Sequence, residues 1–86
     1  MEDQPTTEVF TWDAYIQDLL PLCAVKAEEF RLLGYEEVTA FDVLECVQGT
    51  MKGNLALHQV VAAIFGLSPG KFMNYLTMNA YKGNLG

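Results

Sequence analysis

Hydrophobic residues recur at helical spacing along most of the chain, and four segments carry this pattern. In the first segment the apolar residues lie three or four positions apart, on one face of a helix: Ile16, Leu19, Leu20, Cys23, Ala27 and Phe30. Pro21 interrupts this face. Because proline removes a helical hydrogen bond and clashes with the preceding turn, it either kinks this helix or splits it in two. Gly34 is expected to end the helix in a Schellman motif, with Tyr35 packing back on Phe30.

The second helix has the clearest start signal in the chain. Thr39 is placed to be its N-cap, and Asp42, three residues later, completes a pair like a capping box. Val38 and Val43 flank this pair at the spacing of a hydrophobic staple. The predicted apolar face of the helix then consists of Phe41, Leu44, Val47 and Met51.

The third helix follows a short polar connection. The second helix is expected to fray at Gly49 and Gly53, and Asn54 is a suitable N-cap for the third. One face of the third helix is apolar and comprises Leu57, Val60, Val61, Ile64 and Phe65. Ala62 and Ala63 are small, so we expect another helix to approach closely on their side.

The fourth helix starts with Ser68 as N-cap and Pro69 at the first helical position, and Gly83 is expected to stop it at about Lys82. One predicted face, which should pack on the third helix, contains Phe72, Met73, Leu76 and Ala80. The opposite face, called here the helix 4 stripe, contains Lys71, Asn74, Tyr75, Met78, Tyr81 and Lys82.

No segment shows the alternation of a strand, so the pattern predicts an all-α fold. We expect a small bundle of four helices, or five if Pro21 splits the first, with a helix-turn-helix-like corner between the last two. A flexible acidic tail over residues 1–10 would precede a single helical domain over residues 11–86. No apolar run is long enough to span a bilayer and no signal peptide is evident, so a cytoplasmic protein without membrane insertion is expected.

Charge divides the chain sharply. All eleven acidic residues lie in the first 45 positions, which carry 2 − 11 = −9, whereas residues 46–86 carry +3, giving the net −6. The negative potential around residues 1–45 disfavours the approach of nucleic acid to that half of the chain. The second half is therefore the expected contact surface. A homodimer is a further alternative. In it, the charges would favour contact between the acidic half of one copy and the less acidic half of the other.

Residues for catalysis or metal binding are scarce. His58 is the only histidine, and Ser68, the only serine, is explained as an N-cap. Cys23 and Cys46 are expected to be two buried, reduced thiols, and with His58 they are too few for structural zinc. We therefore expect neither an enzyme nor a cofactor. An enzyme would need His58 in a pocket as a perturbed titratable group.

The end of the third helix has the spacing of a helix-turn-helix, with Ala62, Gly66 and Phe72 at the small, turn and core positions. In this alternative the fourth helix contacts DNA or RNA. The residues assigned to that contact are Ser68, Lys71, Asn74 and Lys82. The spacing also fits many helical corners that bind no nucleic acid, and three lysines are few for phosphate contacts.

Two segments resemble a specific family. Residues 27–39 read AEEFRLLGYEEVT, and residues 57–61 and 72–81 read LHQVV and FMNYLTMNAY. They are similar to the ComN-type post-transcriptional regulators of Gram-positive bacteria, over about residues 16–82. The resemblance implies control of late-competence messenger levels, association with the polar and septal scaffold protein DivIVA, and no catalytic residues. In the family the connection between helices 2 and 3 is often rich in Trp and Lys/Arg, whereas here it has one cation, Lys52.

Together these observations indicate a small regulatory adaptor that acts through protein contacts, with a DivIVA-like polar scaffold as the candidate partner and recruitment to septum and poles through it. The helix 4 stripe is the predicted contact surface, because tyrosine and methionine are enriched at interfaces. Trp12 and Tyr35 are secondary candidates.

Overall fold

The computed structural model describes residues 10–85, and the side chains of residues 10–80. It contains four helices: α1 (Trp12–Leu32), α2 (Ala40–Thr50), α3 (Leu57–Gly66) and α4 (Pro69–Leu85). No strand occurs within this part of the chain, and the predicted all-α bundle is confirmed. Pro21 lies inside α1, which continues through it, so there are four helices and not five. Leu67 and Ser68 alone connect α3 to α4 at the predicted corner.

The turn after α1 is the predicted Schellman motif. Gly34 has φ +111°, and its N–H donates to the Arg31 carbonyl at 3.0 Å. The Tyr35 N–H donates to the Phe30 carbonyl at 3.0 Å, and the two rings meet edge to face with centroids 6.3 Å apart. The Arg31 guanidinium also donates to the Val38 carbonyl at 2.6 Å, which fixes the path of the chain into α2.

The start of α2 is the predicted capping box. The Asp42 N–H donates to the Thr39 hydroxyl oxygen at 3.2 Å, and the Thr39 N–H donates to the Asp42 carboxylate at 2.9 Å. Val38 and Val43, the predicted staple, are both buried. Residues 33–39 therefore form a short connection whose polar groups are largely satisfied locally.

The core lies between α1, α2 and α3 and is closed by the start of α4. Its largest members are Phe30 and Phe72, whose ring centroids lie 5.4 Å apart. Cys23 and Cys46 are buried free thiols, as predicted. Burial raises the pKa of Cys23 to about 11 and also raises the pKa of Cys46, so both remain protonated and act as small apolar groups.

Lys26 is a buried cation that was not predicted from the sequence. Only 5% of it is exposed. Its ammonium donates to the Phe65 carbonyl at 2.9 Å and pairs with Glu29 at 3.0 Å, and it lies 5.8 Å from the centre of the Phe30 ring. Because Phe65 belongs to the last turn of α3, where carbonyls lack helical partners and carry partial negative charge, Lys26 holds α1 to the end of α3.

Helix α4 packs differently from the prediction. Phe72 enters the core, but Met73 and Leu76 are each about 40% exposed and do not pack on α3. Instead α4 meets α2 through Tyr75, whose Cε1 lies 2.6 Å from the position that a Cβ would occupy on Gly49. The helix also continues to Leu85 rather than stopping at Lys82, because a glycine such as Gly83 disfavours a helix by only about 1 kcal/mol.

Three smaller predictions were wrong. Asn54 does not cap α3, because Ala56 occupies the N-cap position and its N–H donates to the Gln59 side chain at 2.9 Å. Phe41 is 63% exposed and Phe65 is 49% exposed. Phe41 lies roughly 140° around α2 from the centre of its buried face, so it points away from the core.

Candidate partner-binding site

A cleft of about 680 Å³ separates α3 from α4, with the second half of α2 at its base. It is called here the α3–α4 cleft. Four of the six residues of the helix 4 stripe line it, so the structure brings most of the predicted surface together in one concave site. The described residues that line it are Cys46, Val47, Thr50, Gln59, Ala62, Ala63, Gly66, Leu67, Lys71, Asn74, Tyr75 and Met78.

The side of the cleft formed by α3 is made mainly of small residues, with Gln59 at its edge. Ala62 is exposed, and no atom outside the adjoining backbone lies within 4 Å of the position that a Cβ would occupy on Gly66. The expectation that another helix approaches closely beside Ala62 and Ala63 is not met at Ala62, whereas Ala63 packs against the core. The small residues Ala62 and Gly66 leave the space between α3 and α4 open.

The side of the cleft formed by α4 carries the larger side chains. Tyr75 is half-buried because its ring lies against Gly49, whereas Met78 is 55% exposed. Lys71 and Asn74 are exposed at the start of the helix. The Lys71 N–H donates to the Ser68 hydroxyl oxygen at 3.2 Å, which confirms Ser68 as the N-cap of α4.

The lining is largely apolar and carries little charge. Its base is formed by the buried residues Cys46, Val47 and Leu67, and its polar groups stand at the edges. Within the part of the chain whose side chains are described, Lys71 is the one charged residue in the lining, and no carboxylate contributes to it. A concave apolar surface with a few polar groups at its rim is typical of a groove that receives apolar side chains from a partner.

The α2 and α3 sides of this cleft were not predicted as a contact surface. Thr50 and Gln59 contribute to its polar edge, and neither was assigned a role. A signal was present, since Gln59, Ala62, Ala63 and Gly66 recur at helical spacing and are all small or polar. That spacing marks a face that does not enter the core.

The remaining predicted residues lie elsewhere. Trp12 is half-buried near the start of α1, where its ring meets Phe10 edge to face with centroids 5.0 Å apart, and Phe10 stacks on Tyr15. Tyr35 lies at a second cleft, described below. The side chains of Tyr81 and Lys82 are outside the described residues.

The second cleft, of about 390 Å³, lies between α4 and the connection that leads into α2. It is called here the acidic cleft. It is reached from the side of α4 that carries Met73 and Leu76, whereas the α3–α4 cleft is reached from the side that carries Asn74 and Met78. Its lining consists of Tyr35, Glu36, Glu37, Val38, Asp42, Phe72, Met73 and Leu76.

The candidates for catalysis and metal binding lie apart from both clefts or from one another. His58 is exposed and lines neither cleft. Among the described residues, no three His, Cys, Asp or Glu side chains come together in a metal-binding group. Across residues 10–85, no helix combines the length and the apolar composition needed to cross a membrane.

Comparison with known proteins identifies relatives along nearly the whole of this fold. A family model described as "Post-transcriptional regulator" matches residues 12–85. The post-transcriptional regulator ComN of Bacillus subtilis (strain 168) is 30% identical over 73 residues, which cover 81% of this chain and 74% of that protein. No solved structure matches the chain.

Proposed function

Since the chain belongs to the post-transcriptional regulator family, we propose that it regulates gene expression after transcription as a non-enzymatic adaptor. In this proposal a protein partner inserts apolar side chains into the α3–α4 cleft. The observation that carries the proposal is the cleft itself. It joins an exposed thioether, a half-buried tyrosine and a wall of mainly small residues, and Lys71 is the one charged side chain among the described residues that line it.

The placement of the cations supports a protein partner over nucleic acid. Lys26 is buried in its contacts with Glu29 and Phe65, and Arg31 is engaged by Glu28 at 2.7 Å and by Val38. Two of the five cations thus serve the fold. A nucleic-acid surface normally uses several cations against phosphates, and among the side chains of residues 10–80 Lys71 is the one cation that lines this cleft.

A DivIVA-like scaffold protein at the poles and septum is the proposed partner. The family resemblance supplies this candidate, and ComN, the Bacillus relative, is named a post-transcriptional regulator. The chain would then work in the cytoplasm, reach the septum and poles through the scaffold, and influence late-competence messengers there. Coiled-coil scaffolds expose helical surfaces, and a helix laid in a groove between two helices is a common mode of recognition.

The proposal is tested with a variant that alters the cleft without touching the core. Met78→Ala removes an exposed side chain from the cleft, and Val25→Ala removes a similarly exposed one from α1 as a matched control. Tyr75 is less suitable because it also holds α4 on α2. Loss of an interface side chain of this size typically weakens binding by about 1–2 kcal/mol, or roughly tenfold.

Affinity capture from the native cell, with and without RNase, gives the readout, followed by binding to the purified scaffold. We expect capture to survive RNase, to fall with Met78→Ala and to be unchanged with Val25→Ala. Capture that RNase abolishes and Met78→Ala leaves intact would instead support the helix-turn-helix alternative, in which Ser68, Lys71, Asn74 and Lys82 contact nucleic acid.

A further inference from the structure

The acidic cleft combines exposed apolar surface with negative charge. Tyr35, Met73 and Leu76 are 37%, 41% and 40% exposed, and they surround the buried side chains of Val38 and Phe72 at the base of the cleft. Apolar groups from two elements therefore meet around one depression, where they are open to solvent. Such a depression can bury one inserted side chain on several sides.

Carboxylates stand at the rim of this depression, and no cation is among the described residues that line it. The Asp42 carboxylate is occupied by the capping box, where Thr39 donates to it through both its N–H and its hydroxyl. Glu36 and Glu37 are exposed. The two ion pairs formed between described residues involve Glu28 and Glu29 instead.

We propose that the acidic cleft binds a basic segment of a second partner protein. One apolar or aromatic side chain of that segment enters between Tyr35, Met73 and Leu76, and lysine or arginine residues beside it face Glu36 and Glu37. The site goes beyond the function proposed above, because it opens on the other side of α4 and shares no lining residue with the α3–α4 cleft.

Charge complementarity favours a basic protein segment as the occupant of the acidic cleft. A nucleic acid or an acidic peptide would bring like charge to the two glutamates, which opposes association. A second copy of this chain would bring only Lys52, Lys71 and Lys82 from its less acidic half, and they are 19 and 11 positions apart in the sequence. A short segment with clustered cations places its charges within a Debye length of both glutamates.

The test uses fluorescein-labelled peptides of roughly ten residues, with Lys and Arg around a central Leu-Phe pair, because a segment of this length can fill such a groove. In a second peptide Ser replaces Leu and Phe, and in a third Glu replaces the cations. Fluorescence anisotropy with the full-length protein gives the dissociation constants. Two-dimensional NMR of the labelled protein locates the peptide.

Three variants separate the contributions. Glu36→Gln with Glu37→Gln removes the rim charges, and Leu76→Ser removes an apolar contact. Asp13→Asn with Asp18→Asn removes the same total charge near the other end of α1. Those two aspartates are exposed and lie outside the cleft, so they control for net charge.

We expect saturable binding of the basic, anchored peptide, with shift changes at Tyr35, Met73 and Leu76. The Glu36/Glu37 variant should weaken it by about five- to tenfold at low salt, since exposed charge pairs contribute modestly. The Asp13/Asp18 variant should change it by less than about twofold. Leu76→Ser, and replacement of the peptide anchors, should each weaken it by about tenfold.

Four results would overturn the proposal: no saturable binding up to about 1 mM, equal effects of the two charge variants, shift changes confined to Asn74 and Met78, or self-association that depends on Glu36 and Glu37. The last would identify a second copy of the chain as the occupant. Because Met78→Ala leaves this cleft intact, failure here is distinguishable from failure of the adaptor proposal.

Discussion

Gly49→Ala should reveal how α4 is held on α2. The Tyr75 ring lies over Gly49, with Cε1, Oη and Cζ at 2.6, 2.7 and 3.0 Å from the position of an added Cβ. A Cβ cannot approach an aromatic ring so closely, so the ring must move. It is the far end of a side chain on α4, and it can move only by turning into the α3–α4 cleft or by displacing α4.

Two opposing effects set the magnitude. Alanine in place of glycine favours a helix by about 1 kcal/mol in its interior and by less next to its last residue, where Gly49 lies. Forcing a methyl group into an occupied space typically costs about 1–3 kcal/mol. We therefore expect Gly49→Ala to lower the free energy of unfolding by up to about 3 kcal/mol and, in a Tyr75→Ala background, to raise it by up to about 1 kcal/mol.

Urea unfolding followed by circular dichroism measures all four proteins of this double-mutant cycle. The coupling free energy should be about 1–3 kcal/mol. Gly66→Ala is the matched control, because nothing lies within 4 Å of its added Cβ, and it should show no coupling to Tyr75. If Gly49→Ala stabilised the protein equally with and without Tyr75, the contact between α2 and α4 would be refuted.

Three further predictions concern the rest of the fold. Lys26→Met keeps the apolar stem but loses the charged hydrogen bond to the Phe65 carbonyl. It should lower the free energy of unfolding by about 1.5–3 kcal/mol in urea titrations. An unchanged urea midpoint would contradict this expectation. Thr39→Ala should cost about 1 kcal/mol in the same assay and Thr39→Ser much less, whereas equal losses would argue against the capping box. Burial raises the pKa of the Cys23 thiol from 9.0 to about 11. The contribution of this protonated, buried thiol to the free energy of unfolding is therefore complete below pH 9 and is lost as pH rises towards 11. Cys23→Ala should therefore lose less stability over that interval, and identical pH profiles would contradict the assignment.

The local features were predictable because their signals are local. The Schellman motif needs Gly34 two positions after the last helical residue, and the capping box needs Thr39 and Asp42 three positions apart. Each depends on residues that are neighbours in the chain, so the printed sequence contains the whole pattern. The connection between α1 and α2 follows from these patterns alone.

The packing of α4 was not predictable in the same way. Periodicity identified Phe72 as a core residue, but it gives only the faces of a helix and not the element that each face meets. What places α4 on α2 is the missing side chain of Gly49, which was interpreted as a fraying signal. Lys26 was similarly overlooked, although its spacing from Cys23 and Phe30 puts it on the buried face of α1.

The candidate site was predicted only on its α4 side, for the same reason. Lys71, Asn74, Tyr75 and Met78 could be grouped because they share one helix face. The facing wall comes from α3, and its position depends on long-range contacts such as that of Lys26 with Phe65, which are 39 residues apart in sequence. A concave site requires both walls, and the sequence pattern indicates only the wall formed by α4.

Among the described side chains of α4, those that are buried or half-buried lie in its first two turns, and this has a consequence for its local opening. Residues from Leu76 to Ala80 are all exposed, whereas Phe72 is buried and Tyr75 is half-buried. Unwinding α4 beyond Tyr75 breaks helical hydrogen bonds but exposes no buried side chain of residues 76–80. The persistence of that segment is therefore governed by its own helix–coil equilibrium, separately from the cooperative unfolding of the core.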